Sequence, residues 1–189
     1  TLLLAACARS ATPVQSTLSV AATFYPLAYL AQQIGGDLVS VTQVTPGGVE
    51  PHDYEPSPQD IAAVYDSKVF VLNGGGVDAW ADTIYDDLAR SGVINIRMID
   101  HMTTLGNLNT ETGKIDPTQS SSTDSTVIDP HIWLNPINMQ QEAALIRDAL
   151  IKTDPTHSDQ YQSNTAALLA KLSALDVDFR SGLSRCTED

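Results

Sequence analysis

The order of apolar runs and helical patterns constrains this chain most. Residues 18–24 (LSVAATF) form a β-branched and aliphatic run that predicts a buried strand. Pro26 then opens a helical pattern with Leu27, Leu30 and Ile34 on one face, stopped by Gly35 and Gly36. Residues 38–45 alternate apolar and polar side chains and predict a second strand, ending at Pro46-Gly47-Gly48. Ser57-Pro58 caps a helix that runs through Tyr65. Residues 68–72 predict a third strand, 77–89 a helix and 93–99 a fourth strand. Strands that alternate with helices imply right-handed crossovers and a parallel sheet with helices on both faces, the α/β class. Ligands of such sheets gather in the crevice beyond the carboxyl ends of the strands.

The alternation stops after Asp100. Residues 102–126 are rich in Thr, Ser, Asn, Asp and Gly and carry too few apolar side chains to offset the entropy of ordering them, which predicts a mobile loop. Helical patterns then return. Asn135-Pro136 caps a helix whose Met139, Ala143, Ile146 and Leu150 form one stripe. Asp154-Pro155 starts a last helix in which Tyr161, Leu168, Leu172, Leu175, Phe179 and Leu183 keep helical spacing. Extended to about Ser184 it measures roughly 45 Å, longer than one domain needs and suited to a spine between two lobes.

The opening residues read differently. Leu4-Ala5-Ala6-Cys7, preceded by Leu2 and Leu3 and followed by a polar run over residues 8–17, has the pattern of a bacterial lipoprotein box. On that reading Cys7 accepts the lipid, residues 1–17 are the end of a signal peptide plus a flexible tether, and the protein works outside the cytoplasm. A short apolar start with a chance cysteine is the alternative. No apolar stretch is long enough to span a bilayer. Ten basic against 23 acidic residues give a formal charge of −13, which argues against nucleic acid and against a bare anionic membrane as partner. Cys186 is left as a single thiol whose pairing the sequence does not decide.

Two histidines carry the chemistry. His52 lies in Glu50-Pro51-His52-Asp53-Tyr54-Glu55-Pro56, directly after the second strand. His131 lies in Asp129-Pro130-His131-Ile132-Trp133-Leu134-Asn135-Pro136, between a proline and a helix start. Imidazole is the commonest side-chain ligand for borderline metals, and a ligand needs a neighbour that holds its ring. Asp53 and Asp129 are placed to accept the second ring N–H of each. Two turn histidines without function are the bland reading. Their matching positions in one α/β unit favour a metal pair. His101 and His157 read as surface residues, Gly74-Gly75-Gly76 as a turn, and Trp80 and Trp133 as packing.

These motifs resemble the zinc/manganese class of ABC-transporter solute-binding lipoproteins (cluster A-I). The Asn73-Gly74-Gly75-Gly76-Val77-Asp78-Ala79-Trp80 stretch, the lipoprotein box and the long helix fit the same family. The resemblance implies a metal bound between two α/β lobes that a rigid helix joins, with His52 and His131 as the ligands from the first lobe. The chain then divides into an N-terminal metal-binding lobe (18–152), a linker helix (153–185) and the start of a second lobe (186–189), the rest of which, with the third and fourth ligands, is missing from this chain. Asn135 stands where the family usually carries Asp, and residues 102–126 hold no histidine where many zinc members carry several.

The function so implied is capture of a divalent transition metal, zinc ahead of manganese, and its delivery to an ABC permease by a lipid-anchored, extracytoplasmic and monomeric protein. A metal-binding surface adhesin is an alternative. An extracytoplasmic metallohydrolase fares worse, because no His-Glu-x-x-His supplies ligands and a general base. No catalytic residue is assigned.

Overall fold

The computed structural model describes residues 17–102, 129–184 and Cys186. Cys7 with its box and tether, nearly all of the 102–126 loop, and residues 187–189 lie outside them. Four strands, β1 (Leu18–Ala22), β2 (Val39–Gln43), β3 (Val69–Leu72) and β4 (Ile94–Arg97), form one sheet in the order β2-β1-β3-β4. Every pairing is parallel, with Val20 opposite both Val41 and Val69, and Val71 opposite Ile96. The chain steps outward from β1 to β2 and then crosses back to β3. The strand order therefore reverses between β1 and β3, which is where a crevice opens beyond the carboxyl ends.

Side-chain alternation along the strands sorts the core into two layers. Val20, Ala22, Val69, Val71 and Ile96 face α1 (Tyr25–Gly35), α5 (Pro136–Thr153) and α6 (Ser158–Leu183). Ala21, Phe70 and Leu72 face the other way, onto Val64 of α2 (Pro58–Tyr65), Ala81 of α3 (Ala79–Asp82) and Leu88 of α4 (Tyr85–Arg90). All four β3 residues are fully buried, as a central parallel strand requires. The expected parallel α/β lobe with helices on both faces is present.

Two elements differ from expectation. The helix predicted over 77–89 is split into α3 and α4, because the Thr83 hydroxyl donates to the Trp80 carbonyl at 2.6 Å and competes with the helical ladder there. The last helix starts at Ser158, after a 3-10 turn at Pro155–His157. Asp154 organises that turn, accepting from His157 Nδ1 at 2.6 Å and from the Tyr161 hydroxyl at 2.8 Å. His157 is thus half-buried in a joint between α5 and α6 instead of lying free on the surface. With 26 residues α6 is about 39 Å long. Only its first half packs, through Tyr161, Thr165, Leu168 and Leu172, while Leu175, Phe179 and Leu183 are exposed. Met102, placed at the head of the mobile loop, is buried and closes the core.

Candidate metal centre

Parallel strands all end at one edge, so the loops that follow them converge. The chain leaving β2 makes a 3-10 turn at Pro51–Asp53 that carries His52. This loop is tied down where it enters α2. Ser57 and Asp60 form a capping box, and Asp60 also accepts the Tyr54 hydroxyl at 3.0 Å. The Ser57 hydroxyl and backbone N–H hold the Asp60 carboxyl below the ordinary range. Ser57→Ala is expected to lower stability by about 1 kcal/mol, read as a lower urea midpoint; an unchanged midpoint would show that the box is idle.

His131 enters from the opposite direction in the chain, just before α5. Asn135 caps α5 by accepting from the Ile137 N–H at 2.9 Å, and a 3-10 turn at Ile132–Leu134 links cap and histidine. One oxygen of Asp129 takes both the His131 backbone N–H (3.0 Å) and its ring Nδ1–H (2.7 Å). Those contacts, the backbone donor first, hold the Asp129 carboxyl below its usual range. Trp133 packs beside the ring with centroids 5.2 Å apart and is itself braced edge-on by Phe24 at 4.8 Å.

The two imidazoles meet. Their ring centroids are 5.5 Å apart with the planes tilted by 56°, and both side chains are exposed at the carboxyl edge of the sheet. Asp129 plays the orienting part expected of it. Asp53 does not: it is exposed, and the His52 Nδ1 lies 3.3 Å from the Gly76 carbonyl instead. With Nδ1–H donating in each ring, both Nε2 atoms keep a free lone pair. Among the described residues no cluster of three or more His, Cys, Asp or Glu side chains forms that could hold a metal ion. This edge therefore offers two nitrogen donors. His101 is exposed at the end of a 3-10 turn after β4 and joins neither ring, and Trp80 packs on Phe70 with centroids 6.1 Å apart.

A further structure adjoins the pair, where the sequence alone shows a turn and a family motif. The segment from Asn73 to Asp78 follows β3, and both of its end residues are buried. Asp78 accepts from the Thr23 hydroxyl (2.6 Å), the Asn73 N–H (2.7 Å) and the Gly74 N–H (2.8 Å). Burial raises the Asp78 carboxyl against the pull of those three donors. Asn73 Nδ2 donates to the Pro130 carbonyl at 2.9 Å, next to His131. An Asn-Gly-Gly-Gly run followed two residues later by an aspartate, with Asn73 and Asp78 buried and Gly75 and Gly76 exposed, is the signal that marks it.

Comparison with known proteins supplies the family. Residues 20–189 match the family described as "ZnuA: Zinc-uptake complex component A periplasmic". The chain belongs to this family. Among the family's relatives, the zinc-binding lipoprotein AdcA of Streptococcus pneumoniae serotype 4 is 31% identical over 171 residues, 90% of this chain and 34% of that protein. The manganese-binding lipoprotein MntA of Halalkalibacterium halodurans is 31% identical over 159 residues, 84% of this chain and 47% of that protein. The crystal structure of the Zn(II)-bound ZnuA-like domain of S. pneumoniae AdcA superposes with a TM-score of 0.74 at 29% identity, covering 91% of this chain and 58% of that one. The chain thus spans between about a third and a half of the length of these curated relatives. Among the described residues no helix is long and apolar enough to cross a membrane.

Proposed function

We propose that this ZnuA-family chain is the first, metal-capturing lobe of an extracytoplasmic solute-binding protein that passes a divalent transition metal to an ABC permease. The observation that carries the reading is the His52–His131 pair, two rings 5.5 Å apart with each Nδ1 engaged. A tetrahedral zinc ion with bonds of about 2.0–2.1 Å needs ligand nitrogens about 3 to 4 Å apart, and rings this close can meet that need through Nε2. Neutral imidazole with a carboxylate or carbonyl on its far nitrogen is a common arrangement for such ligands. Zinc is the favoured cargo because imidazole nitrogen suits it. Manganese is the second reading, supported by the similarity to a manganese-binding lipoprotein.

Two imidazoles fill two positions of a four-coordinate site, so the other donors come from water or from a second lobe. The division into a lobe over 18–152, a linker helix over 153–185 and a following lobe belongs to this proposal, as do a monomeric protein and lipid attachment through Cys7. The role is binding and not catalysis. Both rings are fixed from behind by Nδ1 contacts, an arrangement that orients a ligand lone pair.

Zinc titration monitored by calorimetry tests the reading. His52→Ala and His131→Ala are each expected to weaken binding at least tenfold. Binding by the unsubstituted protein should also weaken on acidification, because protons compete for the same nitrogens. Unchanged affinity in both variants would overturn the assignment.

A further inference from the structure

We infer that the turn from Asn73 to Asp78 is the positioning element that sets the distance and orientation of His52 and His131. This rests on the metal reading above. The two histidine loops leave different elements, one after β2 and one before α5, and each ring is exposed. The third loop, after β3, touches both. Its Gly76 carbonyl accepts from His52 Nδ1, 24 residues away in sequence. Its Asn73 side-chain amide donates to the carbonyl of Pro130, 57 residues away and adjacent to His131.

The turn is built to hold that position. Gly74, Gly75 and Gly76 have φ of +79°, +66° and +91°, three consecutive left-handed residues that only glycine adopts without strain. A Cβ on Gly75 would lie 2.9 Å from the Cβ of Pro130, so the turn sits directly against the His131 loop. Asp78 staples the start of the turn to the end of β1 through Thr23, at the point where the strand order reverses. Asn73 and Asp78 are 0% and 1% exposed, so the three hydrogen bonds that Asp78 accepts are shielded from competing water, and the Asn73–Pro130 bond is part-buried. Each imidazole is thereby referred to one turn whose two ends, Asn73 and Asp78, are buried. Ligands held in place before the ion arrives lose less freedom on binding it, which strengthens the site without adding a donor.

Asn73→Ala removes the amide that holds Pro130. Gly76→Ala puts a side chain where nothing lies within 4 Å, so it acts through the backbone and the aim of the carbonyl alone. Thr23→Val deletes one donor to Asp78 at nearly constant volume. Zinc affinity by calorimetry, the cobalt(II) d–d absorption spectrum, and the His52 and His131 tautomers by nitrogen-15 NMR of the metal-free protein are measured beside thermal stability. Asn73→Ala and Gly76→Ala are expected to weaken zinc at least tenfold and to change the cobalt spectrum, and Thr23→Val to do both in the same direction. In Gly76→Ala the His52 tautomer preference is lost while that of His131 persists. A purely structural role lowers the melting temperature but leaves affinity, spectrum and tautomers of the folded protein as they are. That result, with His52→Ala and His131→Ala still losing zinc, overturns the positioning role and spares the metal site. Full zinc binding by the two histidine variants overturns both. Should Asn73→Ala fail to fold, Gly76→Ala and Thr23→Val decide.

Discussion

Replacing Glu142 with leucine is expected to raise stability by about 3 kcal/mol at pH 8 and by much less at pH 5. Glu142 sits on α5 with no exposure, and neither carboxyl oxygen has a hydrogen-bond partner among the described residues. Burial alone pushes its carboxyl from 4.5 to about 7. The folded protein therefore binds a proton more tightly at this site than the unfolded chain does. Below the unfolded value both states are protonated and the charge imposes nothing. Between 4.5 and about 7 the penalty grows, and above about 7 it is complete. Leucine removes the charge and adds apolar burial, so the gain should follow that window. Urea unfolding of both proteins at the two pH values provides the check. A gain independent of pH would mean that the ionised Glu142 carboxylate has a hydrogen-bond donor or solvent contact of its own.

Asp78→Asn is expected to act in the opposite direction, lowering stability by about 3 kcal/mol or more. The substitution keeps the shape but replaces one acceptor oxygen with an amide group. That group then faces backbone N–H donors or the Thr23 hydroxyl at distances of 2.6 to 2.8 Å. The donors concerned are buried, so none can turn to water, and each unsatisfied one costs about 1 to 3 kcal/mol. A fall in the urea midpoint with an unchanged slope would confirm it. A loss below about 1 kcal/mol would show that the turn holds without this carboxylate.

The sheet was legible in the sequence because a parallel strand buried on both faces must be apolar throughout, and LSVAA and VFVL are nearly so. The histidine pair was legible because strand ends of a parallel sheet share an edge, so two loops that follow or approach that edge meet. Asp129 was legible as well, being two residues from His131 and able to reach its ring only locally. Gly76 was not, since a backbone carbonyl has no residue-type signal and the neighbouring Asp53 offered a ready but mistaken partner. Glu142 escaped for a related reason. Position 142 is three residues from Met139 and four from Ile146, so helical geometry puts it on the buried stripe, yet its charge argued for solvent. The split between α3 and α4 depends on one Thr83 hydroxyl, a contact too local for an apolar pattern to register.

The link between Asn73 and Pro130, made across 57 residues, has a consequence in time. Chain closure over such separations is slow and entropically opposed, so long-range pairings of this kind are among the late events of folding. Until β3 has paired and α5 has docked, the two imidazoles belong to separate stretches of polymer and cannot grip one ion together. Any ligand that needs both rings consequently has negligible affinity for the unfolded chain, and its binding energy adds in full to the stability of the finished lobe. On the metal-binding role proposed above, zinc would then report maturation: a molecule that held it between these two rings would have completed its fold.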